Sequence, residues 1–340
     1  MVCVVGWDIG GAHLKAARAE DGRIVEALQV PSPLRLGLAA LEEAFAQAKP
    51  QMGKADRHVC TMTAELADTF ACRTEGVEQL AALAARALGP ERIVLYAGRA
   101  GFAAPQAAVR HAEDIASANW HASATLVAKH QGAALLIDMG STTTDIVPIA
   151  DGLVAARGYT DAERLACGEL VYTGLVRSLV MAIAERAPVA GGWTTLVREN
   201  FANMADVHRL LENLPEGADQ MPTPDGRPKT LAASRARLAR MVGRDSPDRQ
   251  DWLALARWFA EAQIRAVTDA AMLVLSRGEL DPAAPVVAAG IGRAVIGEIA
   301  RRLGRTSIGF ESLLAVAPHA RAWASHCAPA AALALLGGED

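Results

Sequence analysis

Two lobes of mixed α/β structure are what this sequence predicts, and three observations carry the prediction. The first is the stretch 135–149, LLIDMGSTTTDIVPI, in which apolar runs flank a polar, glycine-containing centre. That pattern describes a strand, a tight turn and a second strand. The second is that the N-terminus repeats the idea. Residues 2–9 form a buried-type strand with Asp8 near its end, Gly10 and Gly11 follow, and residues 15–18 and 23–30 read as further strands separated by Asp21-Gly22. The third is length with alternation: 340 residues exceed one ordinary core, and strands alternate with helices through the first part of the chain. The expected division is an N-terminal lobe, 1–131, with the first hairpin, and a C-terminal lobe, 132–340, with the second hairpin and a helical insertion.

Taken in order, Pro31 to Pro33 break the first meander, and 34–48 has the spacing of an amphipathic helix closed by Pro50. Residues 58–62 predict a strand that leads into Thr63-Ala64-Glu65. Residues 76–88 predict a helix ended by Gly89-Pro90, 93–96 a strand, and 105–129 a largely helical stretch containing Asn119-Trp120. After the central hairpin, 152–154 and 155–158 continue as short strands. Residues 165–183 read as a helix carrying Glu169, Tyr172 and Thr173. Residues 199–214 and 230–242 read as helices flanking 215–228, a stretch rich in Pro, Gly and Asp that predicts a loop. Residues 251–277 give one or two long helices, 286–289 a strand, 294–303 a helix, and 316–336 a last Ala-rich helix.

Composition narrows the class. Half of the residues are apolar (51%) and few are aromatic (4%), which suits helices packed on sheets. The net charge of −4 supplies no general basic field, so nucleic acid is not an expected partner. The basic groups within 235–244 and 301–305 are equally well read as solvated helix faces. The five cysteines are scattered without CxxC or zinc spacing, which fits a reduced cytoplasm. His111, His121 and His130 show no metal spacing and read as structural or surface groups. No apolar run reaches the length of a membrane span. The expectation is a soluble cytoplasmic protein with no membrane partner. The oligomeric state is open, a homodimer included.

Both hairpins carry anion and cation chemistry. Gly10 and Gly11 allow a phosphate to approach the backbone, and Lys15 adds a point charge on the partner strand. Around Gly140, Ser141, Thr142, Thr143 and Thr144 add hydroxyls to the turn's N–H groups, with Asp138 and Asp145 at its two ends. A polar surface hairpin accounts for the turn but not for two carboxylates and four hydroxyls. Gly290-Ile291-Gly292 follows the strand 286–289 and imitates a dinucleotide fingerprint, but the sixth position is Val295 and the segment lies late in the chain. There is no Walker A loop.

Two phosphate-type hairpins and a late glycine turn, in this order, resemble the superfamily of acetate and sugar kinases, chaperone ATPases and actin, and within it the hydantoinase/oxoprolinase-related branch. Further segments carry a closer resemblance: Thr61-Met62-Thr63-Ala64-Glu65-Leu66-Ala67-Asp68, Ser117-Ala118-Asn119-Trp120, Gly168 to Gly174, Phe201 through Asp206 to Leu211, and Arg237-Leu238-Ala239-Arg240. With them the chain resembles, over nearly its whole length, the methanofuran-biosynthesis condensing enzymes of the tetrahydromethanopterin-linked one-carbon pathway.

The resemblance implies a two-lobed actin-like, ribonuclease-H-like α/β fold with its site in an interlobe cleft. It maps Asp8, Gly10, Gly11 and Lys15 onto a first phosphate loop and Asp138, Gly140, Ser141, Thr142 and Thr143 onto a second. Gly290 and Gly292 fall where the superfamily grips a nucleoside or its replacement. The implied reaction is an ether-forming transfer. An aminomethylfuran-methyl diphosphate loses pyrophosphate to the phenol oxygen of tyramine, γ-glutamyltyramine or a tyrosine-like acceptor. Asp8 and Asp138 would hold Mg²⁺, Lys15 would stabilise the leaving group, and Glu65, Asp145 or Glu169 would take the phenol proton. Asn119, Trp120, Glu169 and Tyr172 are candidates for lining the substrate. Two other readings stay open: an ATP-dependent small-molecule kinase or hydrolase of the same fold, and a non-catalytic nucleotide-binding assembly protein.

Overall fold

The computed structural model describes residues 2–245 and 251–339. Two sheets and a hairpin organise them. Chain order gives strands β1 Cys3–Ile9, β2 His13–Glu20, β3 Arg23–Pro31, β4 Arg57–Met62, β5 Ile93–Tyr96, β6 Phe102–Ala103, β7 Ala134–Met139, β8 Thr144–Ala150, β9 Leu153–Val154, β10 Leu170–Val171, β11 Arg186–Val189, β12 Gly192–Thr195, β13 Val286–Gly290 and β14 Ser307–Gly309. The first sheet runs β3-β2-β1-β4-β5-β6 and the second β10-β8-β7-β13-β14, with β9 on β8; β11 and β12 pair with each other. Contacts divide the chain into two compact units: 1–136, 147–164 and 308–340 form one, and 137–146 and 165–307 the other.

In the first unit, β1 to β3 are an antiparallel meander, whereas β1, β4 and β5 run parallel. The Asp21-Gly22 turn has positive φ at both residues (45° and 76°), as tight two-residue hairpins require. Helices Ala39–Met52 and Arg73–Leu88 bury Leu41, Phe45, Val77 and Leu80 in one core with Val5, Trp7 and Ile9 of β1. The C-terminal helix Ala328–Leu336 lies so close to β1 that a Cβ at Gly6 would stand 2.0 Å from the Ala330 carbonyl oxygen. Only glycine permits that approach.

In the second unit, helices Met204–Leu210, Leu231–Met241 and Trp252–Leu275 pack with the β11–β12 hairpin around Val189, Val207, Leu238 and Phe259. Asn203 and Asp206 form a reciprocal capping box that starts the first of these helices, and Thr230 and Asp251 cap the other two. Residues 251–277 therefore give one helix rather than two.

Several expectations are corrected. The stretch 165–183 is not one helix: the helix Asp161–Cys167 stops at Gly168, whose φ is 79°, Leu170–Val171 pair with β8, and only Val180–Ile183 turn helical again. The β-branched and aromatic residues after that glycine favour the strand. The stretch 105–129 breaks at Ser117, whose φ is 52°, leaving helices Ala112–Ile115 and Asn119–His130. The first helix starts at Ala39 and takes Pro50 into its last turn. Residues 155–158 form no strand, and 316–336 divides into Arg321–His326 and Ala328–Leu336. Among the described residues no helix is long and apolar enough to cross a membrane.

Candidate active site

The two hairpins are built to one plan. In the first, Asp8 lies two residues before Gly10, and the Gly10 N–H donates to the His13 carbonyl at 3.0 Å. In the second, Asp138 lies two residues before Gly140, and the Gly140 N–H donates to the Thr143 carbonyl at 2.9 Å. Asp8 and Asp138 are both buried, at 2% and 8% exposure.

Asp8 is paired in register with Lys15 on β2, and the ammonium lies 3.6 Å from its Oδ2. A Cβ at Gly10 would press on the His13 carbonyl at 2.9 Å, whereas one at Gly11 would meet nothing within 4 Å. Gly10 therefore closes the turn and Gly11 faces open space.

At the second hairpin, residues 173–177 are laid along the turn. Leu175 N–H donates to the Gly140 carbonyl at 2.9 Å and Arg177 N–H to that of Ser141 at 2.7 Å. The Arg177 guanidinium donates to Thr142 Oγ1 at 3.2 Å, which sets a cation beside the half-buried hydroxyls of Ser141, Thr142 and Thr143. Thr144 turns inward and donates to the Thr173 carbonyl. Asp145 is half-buried on β8, across from Leu170. Gly290 and Gly292 pack on the end of β7: a Cβ at Gly290 would meet Asp138 Oδ1 at 2.4 Å, and one at Gly292 the Met139 sulfur at 2.4 Å. Their bareness lets the β13 turn close on the residues that carry Asp138.

Glu65 stands out in the first unit. It follows β4, whose parallel partner β1 carries Asp8, and Thr63 N–H donates to the Ile9 carbonyl, so Glu65 leaves the same sheet edge as the first hairpin. It is 1% exposed. The Ser117 hydroxyl lies 2.7 Å from Oε1, while Oε2 is buried with no hydrogen-bond partner among the described residues. Arg73 Nε is 3.9 Å away, and Arg73 Nη2 also pairs with Asp161 at 3.2 Å. Burial pushes the Glu65 carboxyl up to about 7, against the opposing pull of Ser117 and Arg73. A buried carboxyl that ionises near neutrality with one oxygen unengaged is equipped to take and return a proton.

The other candidates fall elsewhere. Glu169 is fully buried in an ion pair with Arg277, which also donates to the Cys167 carbonyl at 2.8 Å. Its carboxylate serves the packing of β10. Trp120 is 1% exposed, with the Arg164 guanidinium 4.0 Å above its ring and Tyr159 edge-on, so it is a buried stack rather than an open wall. Asn119 Oδ1 accepts from the Trp120 N–H at 2.7 Å and holds the start of that helix. Tyr172 is 71% exposed.

Arg73, Asp161 and Arg177 are residues the sequence reading did not select. Arg73 carried a faint signal: a cation at the first position of a helix opposes the helix dipole and calls for an acidic partner elsewhere. Asp161 and Arg177 carried none, since their neighbours are set by tertiary structure. Among the described residues no three His, Cys, Asp or Glu side chains converge as a metal cage.

Comparison with known proteins places this geometry in a family. The sequence profile of the hydantoinase/oxoprolinase family matches residues 56–336. The (4-{4-[2-(γ-L-glutamylamino)ethyl]phenoxymethyl}furan-2-yl)methanamine synthase of Methanocaldococcus jannaschii is 33% identical over 245 residues, 72% of this chain and 72% of that one. The protein of the same name from Methanococcus vannielii is 37% identical over 111 residues, a third of this chain (33%) and half of that one (50%). Among solved structures, nucleotide-free acetone carboxylase, described for ATP-dependent acetone carboxylation, superposes with a TM-score of 0.56 at 12% identity, over 97% of this chain and 70% of that one. At that identity the likeness speaks for the fold alone, and the actin-like α/β architecture agrees with the sequence expectation. The chain belongs to the hydantoinase/oxoprolinase family, in the branch that holds these methanamine synthases.

Proposed function

We propose that this chain is a transferase of methanofuran-type cofactor biosynthesis that forms an aryl alkyl ether. The substrates are an aminomethylfuran-methyl diphosphate and a phenol. γ-Glutamyltyramine is the preferred phenol, because the relatives are named for a product containing that group; tyramine and tyrosine-like acceptors are the alternatives. The carbon–oxygen bond to the diphosphate breaks with its electron pair leaving on pyrophosphate. A phenol oxygen lone pair forms the new bond to the furanylmethyl carbon, and the phenol proton passes to Glu65.

The observation that supports this reading most directly is Glu65 itself. Its free Oε2 and its midpoint of about 7 suit a base that must accept a phenol proton near neutral pH. The surrounding burial excludes water that would otherwise capture the cationic furanylmethyl carbon. Lys15, held by Asp8, offers a point charge to the departing pyrophosphate, and the N–H groups at the tips of the Gly10-Gly11 and Gly140–Thr143 turns offer donors to phosphate oxygens. Arg177 adds a guanidinium at the second turn.

The hairpins also fit Mg²⁺. They present carboxylate and hydroxyl oxygens, the donor set of a hard cation that keeps much of its water and binds through phosphate. On each hairpin the carboxylate, Asp8 on the first and Asp138 on the second, is the group that would hold it, and when bound it would neutralise charge on the leaving pyrophosphate.

The test is pyrophosphate release by the purified protein with Mg²⁺, the furan diphosphate and γ-glutamyltyramine, beside a reaction containing ATP alone. Pyrophosphate in step with ether product supports the transferase. ADP without ether replaces it with the kinase or hydrolase reading.

A further inference from the structure

One hydroxyl stands between two carboxylates. Ser117 Oγ is 2.7 Å from Glu65 Oε1 and 3.3 Å from Asp161 Oδ2. A hydroxyl has one proton to donate, so it cannot satisfy two ionised carboxylates at once. When Glu65 is ionised, Ser117 donates to it. When Glu65 is protonated, the carboxylic O–H donates to Ser117 and Ser117 turns its own proton to Asp161. Glu65 is 1% exposed, whereas the Asp161 side chain is 25% exposed, so the chain of three oxygens leads from the interior to water.

We propose that Ser117 is a proton relay residue, through which a proton accepted by Glu65 Oε2 leaves by way of Asp161. The relay completes the cycle of the ether-forming reaction and rests on that reading. A phenol proton arrives at Oε2, a half-turn of the carboxyl group brings that O–H to face Ser117, the same proton moves to Ser117 Oγ as the Ser117 proton moves to Asp161 Oδ2, and Asp161 releases it to water. Each bond formed to a proton is matched by one broken, and Glu65 returns to its ionised form. No oxidant or co-reactant is needed.

Two features show that the bridge is held in place. Ser117 adopts φ of 52°, a left-handed conformation that a serine takes only when its surroundings require it. Arg73 is 3.9 Å from Glu65 and 3.2 Å from Asp161 Oδ2, the oxygen Ser117 also contacts. Helix Arg73–Leu88 fixes it there, because Gly76 lets that helix lie against Glu65: a Cβ would stand 2.4 Å from the Glu65 carbonyl oxygen. The charged groups that act on Glu65 are thus Arg73 and Asp161.

Ser117→Gly is the informative variant, since glycine accepts the positive φ without strain and only the hydroxyl is lost. Infrared titration of the Glu65 carboxyl, assigned by its disappearance in Glu65→Gln, needs no substrate. The expected midpoint rises in Ser117→Gly, which loses a hydrogen bond to the ionised form, and falls in Asp161→Asn, which loses a nearby negative charge. In the ether assay at pH 9, Ser117→Gly is expected to keep its single-turnover rate while steady-state turnover falls about tenfold, with added imidazole restoring it. Unmoved midpoints, or a slow steady state indifferent to imidazole, overturn the relay. If the wild-type protein makes no ether, the transferase reading falls and takes the relay's role in turnover with it. The midpoint shifts then still decide whether the two carboxylates share a proton path.

Discussion

Asp8 and Lys15 stand directly across from each other on antiparallel strands, 3.6 Å apart, with Asp8 buried and Lys15 one-fifth exposed. The pair sits where the chain turns at Gly10-Gly11, so one ion pair braces the first turn and keeps a cation beside it. Removing a single charged donor from such a site costs about 10²–10³-fold in turnover. Lys15→Met is expected to show that loss in pyrophosphate release. Asp8→Asn and Asp138→Asn are expected to lose Mg²⁺-dependent turnover while melting cooperatively, as circular dichroism would record. Normal turnover in both Asn variants would remove the metal assignment.

Glu65 sets a pH dependence with a definite sign. Its carboxyl ordinarily ionises at 4.5 and is pushed up to about 7 by burial. Activity that depends on its ionised form should rise with pH through about 7. Stability moves the other way: the contribution of the neutral buried carboxyl is complete below 4.5 and is lost as pH rises through about 7. Glu65→Gln, neutral at every pH, should abolish ether formation and flatten this part of the stability profile, as denaturant melts at pH 5 and pH 8 can measure.

Glu169 and Arg277 form a buried pair that supports β10. The Glu169 side chain is wholly buried and that of Arg277 nearly so, at 5% exposure. Breaking a buried pair on one side leaves an uncompensated charge and costs about 3–5 kcal/mol. Glu169→Gln is expected to destabilise by about that amount in urea melts, and Glu169→Gln with Arg277→Met to recover part of it. A neutral single variant would return Glu169 to the list of candidate bases.

How much of this could be read from the chain divides along the range of the interactions. The two Asp–Gly hairpins were legible because a strand, a glycine turn and a second strand are local events with local chemistry. The caps at Thr230 and Asp251 mark their helices for the same reason. Residues 165–183 misled because their apolar spacing fits a helix, while Gly168 in positive φ and the pairing of Leu170 with Asp145 decide otherwise. Glu65 was legible as a carboxylate after a strand, but its partners were not. Ser117 lies 52 residues further on and Asp161 lies 96 further on, brought in by folding alone. Trp120 carried the opposite error: an aromatic beside an amide suggested a wall, and the structure fills that place with Arg164.

The segment 215–228 buries Ala218 and is tied down by a set of ion pairs. Arg237, with no exposed side-chain surface, donates to Asp206 Oδ1 at 2.7 and 2.9 Å and pairs with Asp225 at 3.1 Å. Arg240 reaches Asp225 as well, at 3.3 Å, and Arg209 and Lys229 hold Asp219. Arg237 therefore links the capping box of one helix to the loop beyond it. The two ends of this link should respond differently. Arg237→Met strands the buried Asp206 carboxylate and should cost about 3–5 kcal/mol in global stability. Asp225→Asn removes only the loop end, 16% exposed, and leaves Arg237 paired with Asp206, so global stability should change by less than about 1 kcal/mol, as a partly solvated ion pair allows. Cleavage within 215–228 under limited proteolysis should nevertheless speed up several-fold, because local opening there is governed by those ion pairs. Equal effects of the two variants on the melting midpoint would mean that the loop and the helices unfold as one unit.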